Sequence, residues 1–171
     1  MNYSGITYPD VNNGWGCRVT LWVSGCPHHC LNCHNPQTWD YNAGQMFNSK
    51  VLDKLIELVQ DDTIEGLTIS GGDPLDPKNM PCVLSICMYV KKLTHKNIWV
   101  YTGYTYEYLC SNPIYHPILQ YIDVLVDGPY MQDKRDVTSN NAFRGSTNQR
   151  LIDVQKSNNS DNIVLWTQPT I

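Results

Sequence analysis

Three cysteines lie within eight residues of this 171-residue chain, at Cys26, Cys30 and Cys33. Thiolates are soft ligands that suit iron–sulfur clusters, and a [4Fe–4S] cluster usually takes four of them. A set of three leaves one iron open to a small molecule, which turns an electron carrier into a catalyst. The C-x3-C-x2-C spacing therefore predicts a reactive [4Fe–4S] cluster, with these three cysteines as its ligands.

A zinc site is the main alternative for the same segment. The three cysteines and one of His28, His29 or His34 would complete a tetrahedral Cys3His set. Structural zinc usually draws its ligands from two separated pairs, and no second pair follows here, which favours the cluster. We expect His28 and His29 to be solvated or hydrogen-bonded. The zinc alternative would make the protein a non-catalytic interaction module.

Composition and charge narrow the class of protein further. The formal net charge is −4, and the longest basic run is Lys91-Lys92, which argues against a nucleic-acid partner. An odd count of seven cysteines, three of them crowded, fits a reducing compartment rather than a disulfide framework. No signal peptide or membrane span is evident, so we expect a cytoplasmic protein without a membrane partner. We expect the remaining cysteines to be small buried apolar residues: Cys17, Cys82, Cys87 and Cys110.

The sequence predicts strands and helices that alternate along the chain. Runs of β-branched and aromatic residues predict four strands, at 18–24, 66–70, 97–101 and 122–126. Apolar residues at helical spacing predict helices at 50–60, 78–93 and near 105–111. Asn48 or Ser49 is a plausible cap of the first helix, and Asp76-Pro77 looks like the start of the second.

This alternation predicts an α/β fold with mainly parallel strands. A complete eight-stranded barrel typically needs about 250 residues. We therefore expect one domain over 1–171 that forms a partial, open (β/α) barrel. We expect 129–149 to be irregular and 155–162 to be a mobile link to a last apolar patch at 163–166.

The unusual motifs all follow predicted strands. They are the cysteines, Gly71-Gly72-Asp73-Pro74, Thr102-Gly103-Tyr104 and Asp127-Gly128. Because the carboxyl ends of parallel strands form the ligand-binding edge of such folds, we expect these segments to share one site. Two glycines allow the backbone to approach a ligand closely, which supports a cofactor beside the cluster.

Longer stretches of sequence resemble a known family. The run Cys33-His34-Asn35-Pro36-Gln37-Thr38-Trp39 is similar to the C-[HY]-N-x-x-T-W stretch of the glycyl-radical-enzyme activases, which are radical S-adenosylmethionine (SAM) enzymes. Later blocks resemble, in order, the branch that activates anaerobic (class III) ribonucleoside-triphosphate reductase: 70–75, 99–104, 123–128 and 144–150. The resemblance covers residues 1 to about 152 and leaves 153–171 as a C-terminal extension of unknown role.

This resemblance implies a complete activity. SAM would bind the open iron and be cleaved reductively, and the resulting 5′-deoxyadenosyl radical would take a hydrogen atom from a glycine of the reductase. The cofactors implied are a [4Fe–4S] cluster and SAM, which supply the difficult chemistry. Reduced flavodoxin or a similar low-potential donor would provide the electron. The family is found as homodimers or in complex with the reductase.

Residue by residue, the resemblance implies that Cys26, Cys30 and Cys33 hold the cluster. The implied contacts of SAM are Asn32, Cys33, His34 and Gly72, and Gly71 and Asp73 would shape its pocket. No side chain is expected to act as a catalytic acid or base. Outside these motifs, five further residues could either line the pocket or have an ordinary structural role, and both interpretations stay open. These residues are Tyr101, Tyr104, Asp127, Arg144 and Arg150.

Some positions depart from the family pattern. Gly14-Trp15-Gly16 stands where the family often has Gly-Pro-Gly, and Asn32 stands where many radical SAM loops have an aromatic residue against adenine. Tyrosine is commonest at the position of His34 in this branch, whereas histidine is nearer to the version found in the pyruvate formate-lyase activases. The nearest alternative is therefore an activase of another glycyl radical enzyme, such as pyruvate formate-lyase. Those larger activases have more barrel than this length permits.

Overall fold

A computed structural model describes residues 1–137 and 143–169 of the chain. The strands are β1 (Asn2–Asp10), β2 (Arg18–Val23), β3 (Gln45–Met46), β4 (Gly66–Gly71), β5 (Asn97–Tyr101), β6 (Val124–Asp127) and β7 (Arg150–Asp153). The α-helices are α1 (Ser49–Val59), α2 (Met80–Thr94), α3 (Tyr106–Ser111), α4 (His116–Leu119) and α5 (Val154–Asn158). Short 3-10 helices span Pro36–Thr38, Pro113–Tyr115 and Gln132–Lys134.

The strands form one seven-stranded mixed sheet in the order β3-β1-β2-β4-β5-β6-β7. Neighbours from β2 through β6 pair in parallel, and β1, β3 and β7 join antiparallel at the two sides. The pairing of Val23 with Gly71 and of Tyr101 with Val126 brings the carboxyl ends of these strands to one edge. The mixed α/β class with parallel strands is confirmed. The sheet is open, and its closure into part of a barrel stays a prediction.

One face of the sheet carries the main hydrophobic core. Alternate residues of the parallel strands, such as Leu21, Ile69 and Val100, are fully buried together with Leu55 of α1 and Ile86 of α2. Each such side chain contributes about 1.5–3 kcal/mol when it is removed from water. This layer of helices fixes the strands, and the strands fix the loops that follow them.

The opposite face has a second, smaller cluster around Trp99, against which Trp15 and Trp166 pack. The side chain of Arg18 is fully buried beside it and donates from Nε to Thr68 Oγ1 (2.7 Å). Its guanidinium carbon lies 5.2 Å from the centre of the Trp99 ring. Burial lowers the pKa of Arg18 to about 10, so the group keeps its charge at neutral pH.

The predicted helices are present, with one correction. Asn48 caps α1 by accepting a hydrogen bond from the Val51 amide (3.2 Å), as predicted. However, α2 begins at Met80 rather than after Asp76, so the predicted cap is wrong. The Asp76 carboxylate accepts from the Lys78 amide (2.9 Å) and closes a separate turn in front of the helix. Asx turns of this kind compete with helix capping for the same side chain.

The C-terminal segment is more ordered than the predicted link. Residues Val154–Asn158 form α5, and the amide of Asp153 donates to the carbonyl of Val164 (2.9 Å). The Asp153 side chain caps α5, which explains why a polar stretch is helical. The strands β1, β3 and β7 were not predicted.

The four cysteines outside the cysteine loop were expected to be buried, and this prediction is wrong for Cys110, which is exposed. Cys87 is buried, and Cys17 and Cys82 are half-buried. Within the described ranges, no helix is both long enough and apolar enough to cross a bilayer.

Candidate functional site

A cavity of about 520 Å³ lies at the carboxyl ends of the parallel strands. Each of the four motifs that follow predicted strands contributes to its wall. The lining residues from these motifs are Cys26, His28, Cys30, Cys33, Gly71, Gly72, Asp73, Thr102, Gly103 and Gly128. The predicted convergence of these segments on one site is therefore confirmed.

The loop between β2 and the 3-10 helix folds back on itself to present the cysteines. The Gly25 amide donates to the Thr38 carbonyl (2.7 Å), and the Cys26 amide donates to the Trp39 carbonyl (3.1 Å). Gly25 has φ +99°, and a Cβ there would lie 2.1 Å from the Tyr41 ring. Only glycine fits this position, so the residue before Cys26 sets the direction in which the cysteine loop leaves the sheet.

The three thiols are free and half-buried. Burial raises the pKa of the Cys26 thiol to about 12 and also raises the pKa of the Cys30 thiol. Bound cations favour the thiolate, so metal binding at such thiols displaces protons. The Asn35 amide donates to Cys33 Sγ (3.4 Å), and hydrogen bonds to cluster sulfurs are one of the means by which proteins tune reduction potential.

These donors suit an iron–sulfur cluster. Three free thiols line one cavity, and soft sulfur ligands are the ones that such clusters require. Among residues 1–137 and 143–169, no group of three or more His, Cys, Asp or Glu side chains is gathered so as to hold a metal ion. Cys26, Cys30 and Cys33 all line the same cavity of about 520 Å³.

The Gly71-Gly72 loop lies directly against the backbone of β2. A Cβ on Gly72 would be 2.5 Å from the Gly25 oxygen, and one on Gly71 would be 2.7 Å from the Val23 oxygen. The Gly72 amide donates to the Val23 carbonyl (2.8 Å). The glycine pair is thus required by the neighbouring strand, and its backbone also faces the cavity.

Asp73 is almost completely buried, with an exposed fraction of 1%. Its carboxylate accepts hydrogen bonds from the Leu75 amide (2.8 Å), the Thr102 hydroxyl (2.9 Å) and the Gly103 amide (2.9 Å). Nε2 of His28 lies 2.7 Å from the same carboxylate. Asp73 therefore ties the end of β4 to the end of β5 and to the cysteine loop.

The other predicted site residues divide between the cavity and its surroundings. His34 and Arg144 line the cavity, whereas Asn32 is exposed outside it. Asn32 has φ +55°, a left-handed conformation that asparagine tolerates, and it shapes the turn between Cys30 and Cys33. The ring of His34 lies 5.1 Å from that of Tyr130, which also lines the cavity.

The residues for which two interpretations were open are now placed. Tyr101 lines the cavity, and its hydroxyl donates to the Phe143 carbonyl (2.8 Å). Tyr104 lies outside the cavity wall and stacks on Tyr108. Asp127 accepts from the Tyr106 amide (2.8 Å) and pairs with Arg150, which also binds Glu107. Asp127 and Arg150 thus hold the ends of β6 and β7 together.

Asn79 was missed by the sequence analysis. Its exposed fraction is 2%, and its Nδ2 donates to the carbonyls of Ser24 (3.0 Å), Gly25 (3.1 Å) and Asp73 (2.9 Å). One side chain therefore joins the loop after β2 to the loop after β4. No sequence signal distinguishes this asparagine from a helix cap, because its partners are brought to it by the fold.

Comparison with known proteins agrees with this arrangement. The family described as "4Fe-4S single cluster domain" matches residues 12–152. The anaerobic ribonucleoside-triphosphate reductase-activating protein of Pasteurella multocida is 42% identical over 155 residues, which cover 87% of this chain and 95% of that protein. The proteins of the same name from phage T4 and Escherichia coli K12 are 39% and 41% identical; the matches cover 88% and 87% of this chain, and 93% and 96% of those proteins. The chain therefore belongs to the family of anaerobic ribonucleoside-triphosphate reductase-activating proteins.

Proposed function

We propose that this protein is a radical SAM activase that generates the glycyl radical of an anaerobic ribonucleoside-triphosphate reductase. The observation that carries the proposal is the meeting of three free thiols and the Gly71-Gly72 loop around one cavity, in a chain of this family. A cavity of about 520 Å³ also has the size of a small-molecule site, for which roughly 300–1,000 Å³ is typical.

In this proposal Cys26, Cys30 and Cys33 hold a [4Fe–4S] cluster and leave one iron for SAM. When bound, the cluster and SAM supply one-electron cleavage of a carbon–sulfur bond and a radical that takes a hydrogen atom from the substrate glycine. The protein holds and orients these groups and keeps competing reactants away. Cys33 Sγ also accepts the Asn35 amide hydrogen bond, a contact of the kind that tunes the reduction potential of a cluster.

The loop after β4 would receive SAM. Gly71 and Gly72 are half-buried and line the cavity, where their backbone would face the cofactor. Asp73 would shape the pocket by holding three segments in place. His34 lines the cavity beside the cysteines and is the second proposed contact from the cysteine motif. For Asn32, which is exposed, we propose a role through the turn that places Cys33.

The part of the cavity lining that lies outside the sequence motifs would receive the glycine of the reductase. It includes Asn12, Asn13 and Trp22, together with Tyr101 and Phe143. These residues present amides and aromatic rings rather than acids or bases, which suits a hydrogen-atom transfer that needs no protein proton carrier. Reduced flavodoxin or a similar low-potential protein is the proposed electron donor, and the working form is a homodimer or a complex with the reductase.

Anaerobic reconstitution tests this proposal. The protein is loaded with iron and sulfide, reduced with dithionite, and incubated with SAM. We expect about four irons per chain, with methionine and 5′-deoxyadenosine formed in equal amounts. A protein that took up stoichiometric zinc, formed no cluster and left SAM intact would contradict it.

A further inference from the structure

His28 lies in the middle of the cysteine loop, but its side chain leaves that loop and contacts the ends of two strands. Its Nε2 is 2.7 Å from Asp73 Oδ2, and the exposed fractions of the two side chains are 19% and 1%. Forty-five positions separate these residues in sequence. The contact is therefore a tertiary link between the segment that carries the cysteines and the segment that follows β4.

The direction of this hydrogen bond follows from the other partners of Asp73. The carboxylate already accepts from the amides of Leu75 and Gly103 and from the hydroxyl of Thr102. Three donors therefore already converge on this carboxylate, and Nε2 of His28 is the fourth polar atom within hydrogen-bond distance of it. We take Nε2 as the donor of this contact, since a carboxylate accepts at both oxygens.

Packing holds the imidazole ring on both sides. A Cβ on Gly103 would lie 2.4 Å from Cδ2 of His28, so the backbone after β5 is in close contact with the ring. On another side, the Tyr104 ring meets His28 edge to face at 4.6 Å. The ring thus has one orientation, fixed by a hydrogen bond and by two neighbours from the same turn.

The adjacent histidine provides a contrast within the loop. Nδ1 of His29 lies 3.1 Å from the Pro27 carbonyl, and its ring meets Trp39, so its contacts stay within the cysteine loop and the segment that follows it. His28 instead contacts the segments that follow β4 and β5. Substitution of His29 therefore controls for a general disturbance of the loop.

We propose that His28 is a positioning residue that fastens the cysteine loop to the ends of β4 and β5. By holding Asp73, it fixes the place of the cysteines relative to the Gly71-Gly72 loop. This inference rests on the proposed function, because it assigns those two loops to the cluster and to SAM. The three cysteines remain in a His28 variant, so the cluster should still assemble while SAM is held less well.

The test measures SAM binding to the reconstituted protein and the change that SAM causes in the electron paramagnetic resonance (EPR) spectrum of the reduced cluster. His28→Ala should keep its iron and sulfide content but bind SAM roughly 10- to 100-fold more weakly, with a reduced spectral change. His28→Gln should stay within about threefold of the unsubstituted protein, because its amide nitrogen has a similar reach and donates to the same carboxylate. His29→Asn should behave like the unsubstituted protein.

Each outcome decides one of the two proposals. If the unsubstituted protein forms a cluster whose spectrum is unchanged by SAM, the proposed function fails. If it responds to SAM and His28→Ala responds equally with equal affinity, the positioning role fails. Should His28→Ala not fold, as judged by circular dichroism, His28→Asn takes its place, since its amide is too short to reach Asp73. Unchanged SAM affinity in that variant would also overturn the inference.

Discussion

The backbone of Gly72 lies against the carbonyl group of Gly25, so closely that a Cβ on Gly72 would be 2.5 Å from the Gly25 oxygen. The next amide, that of Asp73, donates to the same oxygen (2.8 Å). Gly25 directly precedes Cys26, and Gly72 directly follows β4. This contact therefore joins the loop that carries the thiols to the loop proposed to receive SAM.

Gly72→Ala should disturb both loops. The added methyl group meets backbone atoms that cannot move aside freely, and overpacking of this kind typically costs about 1–3 kcal/mol. We expect a loss of that size in the free energy of unfolding, measured with urea, and weaker SAM binding after reconstitution. Gly5→Ala is the matched control, because nothing lies within 4 Å of a Cβ at Gly5. Equal stability of the two variants would refute the tight contact.

Cys30→Ala should prevent stable assembly of the cluster. Two thiolates hold a cubane poorly, so we expect iron and sulfide content and the brown absorbance to fall severalfold or more, with activation of the reductase abolished. Cys110→Ala is the control, since Cys110 is exposed and lies outside the cavity. Normal rates of 5′-deoxyadenosine formation in Cys30→Ala would show that the ligands are assigned wrongly.

Glu107 should contribute stability that depends on pH. The hydrogen bond from Arg150 lowers the pKa of Glu107 from 4.5 to about 2. A lowered pKa means that the ion pair stabilises the folded state above pH 4.5 and that this contribution disappears as the pH falls toward 2. Because Glu107 is largely exposed, Glu107→Gln should cost less than about 1 kcal/mol at neutral pH.

Urea unfolding of Glu107→Gln and the unsubstituted protein, followed from neutral pH to about pH 3, measures this dependence. The difference in unfolding free energy should shrink as the pH falls. Glu57→Gln serves as the control, since Glu57 pairs with exposed Lys54 on the same helix, α1. A difference that stayed constant or grew in acid would contradict the role assigned to the Arg150 contact.

Trp166 should stabilise the sheet from outside the region that matches the family. The Trp166 amide donates to the Leu151 carbonyl (2.8 Å), and its ring meets that of Trp99 at 4.9 Å. We expect Trp166→Ala to lower the free energy of unfolding by about 1–2 kcal/mol, because the ring is only half-buried. Leu165→Ala, at an exposed neighbour, should have little effect. Equal effects of the two variants would mean that the packing on Trp99 contributes nothing.

The sequence predicted those parts of the fold that have a local signal. β5 occupies the predicted residues Asn97–Tyr101, because a short run of β-branched and aromatic residues is enough to indicate a buried strand. The convergence of the motifs was also predictable, since parallel strands bring their carboxyl ends to one edge. By contrast, β1 is mostly exposed or half-buried along its length, so it lacks the apolar pattern that would have revealed it.

The sequence predicted the residues proposed to bind the cofactors, but it did not predict the side chains that hold their loops in place. The cysteines and the glycine pair are visible as motifs, whereas the contacts of His28 with Asp73 and of Asn79 with Ser24 join residues 45 and 55 positions apart. Such contacts depend on how strands are ordered in the sheet. The same holds for Asp127, whose pairing with Arg150 follows from the antiparallel register of β6 and β7.

The most direct test of the proposed activity is the EPR spectrum of the reductase after anaerobic incubation with the reduced, reconstituted protein and SAM. We expect a glycyl doublet, which should collapse to a narrower line when the reductase is made with glycine deuterated at Cα. The deuterium should then appear in 5′-deoxyadenosine. Cleavage of SAM without any glycyl signal, or a doublet unaffected by the deuterium, would contradict the claim that this protein takes a hydrogen atom from a glycine of the reductase.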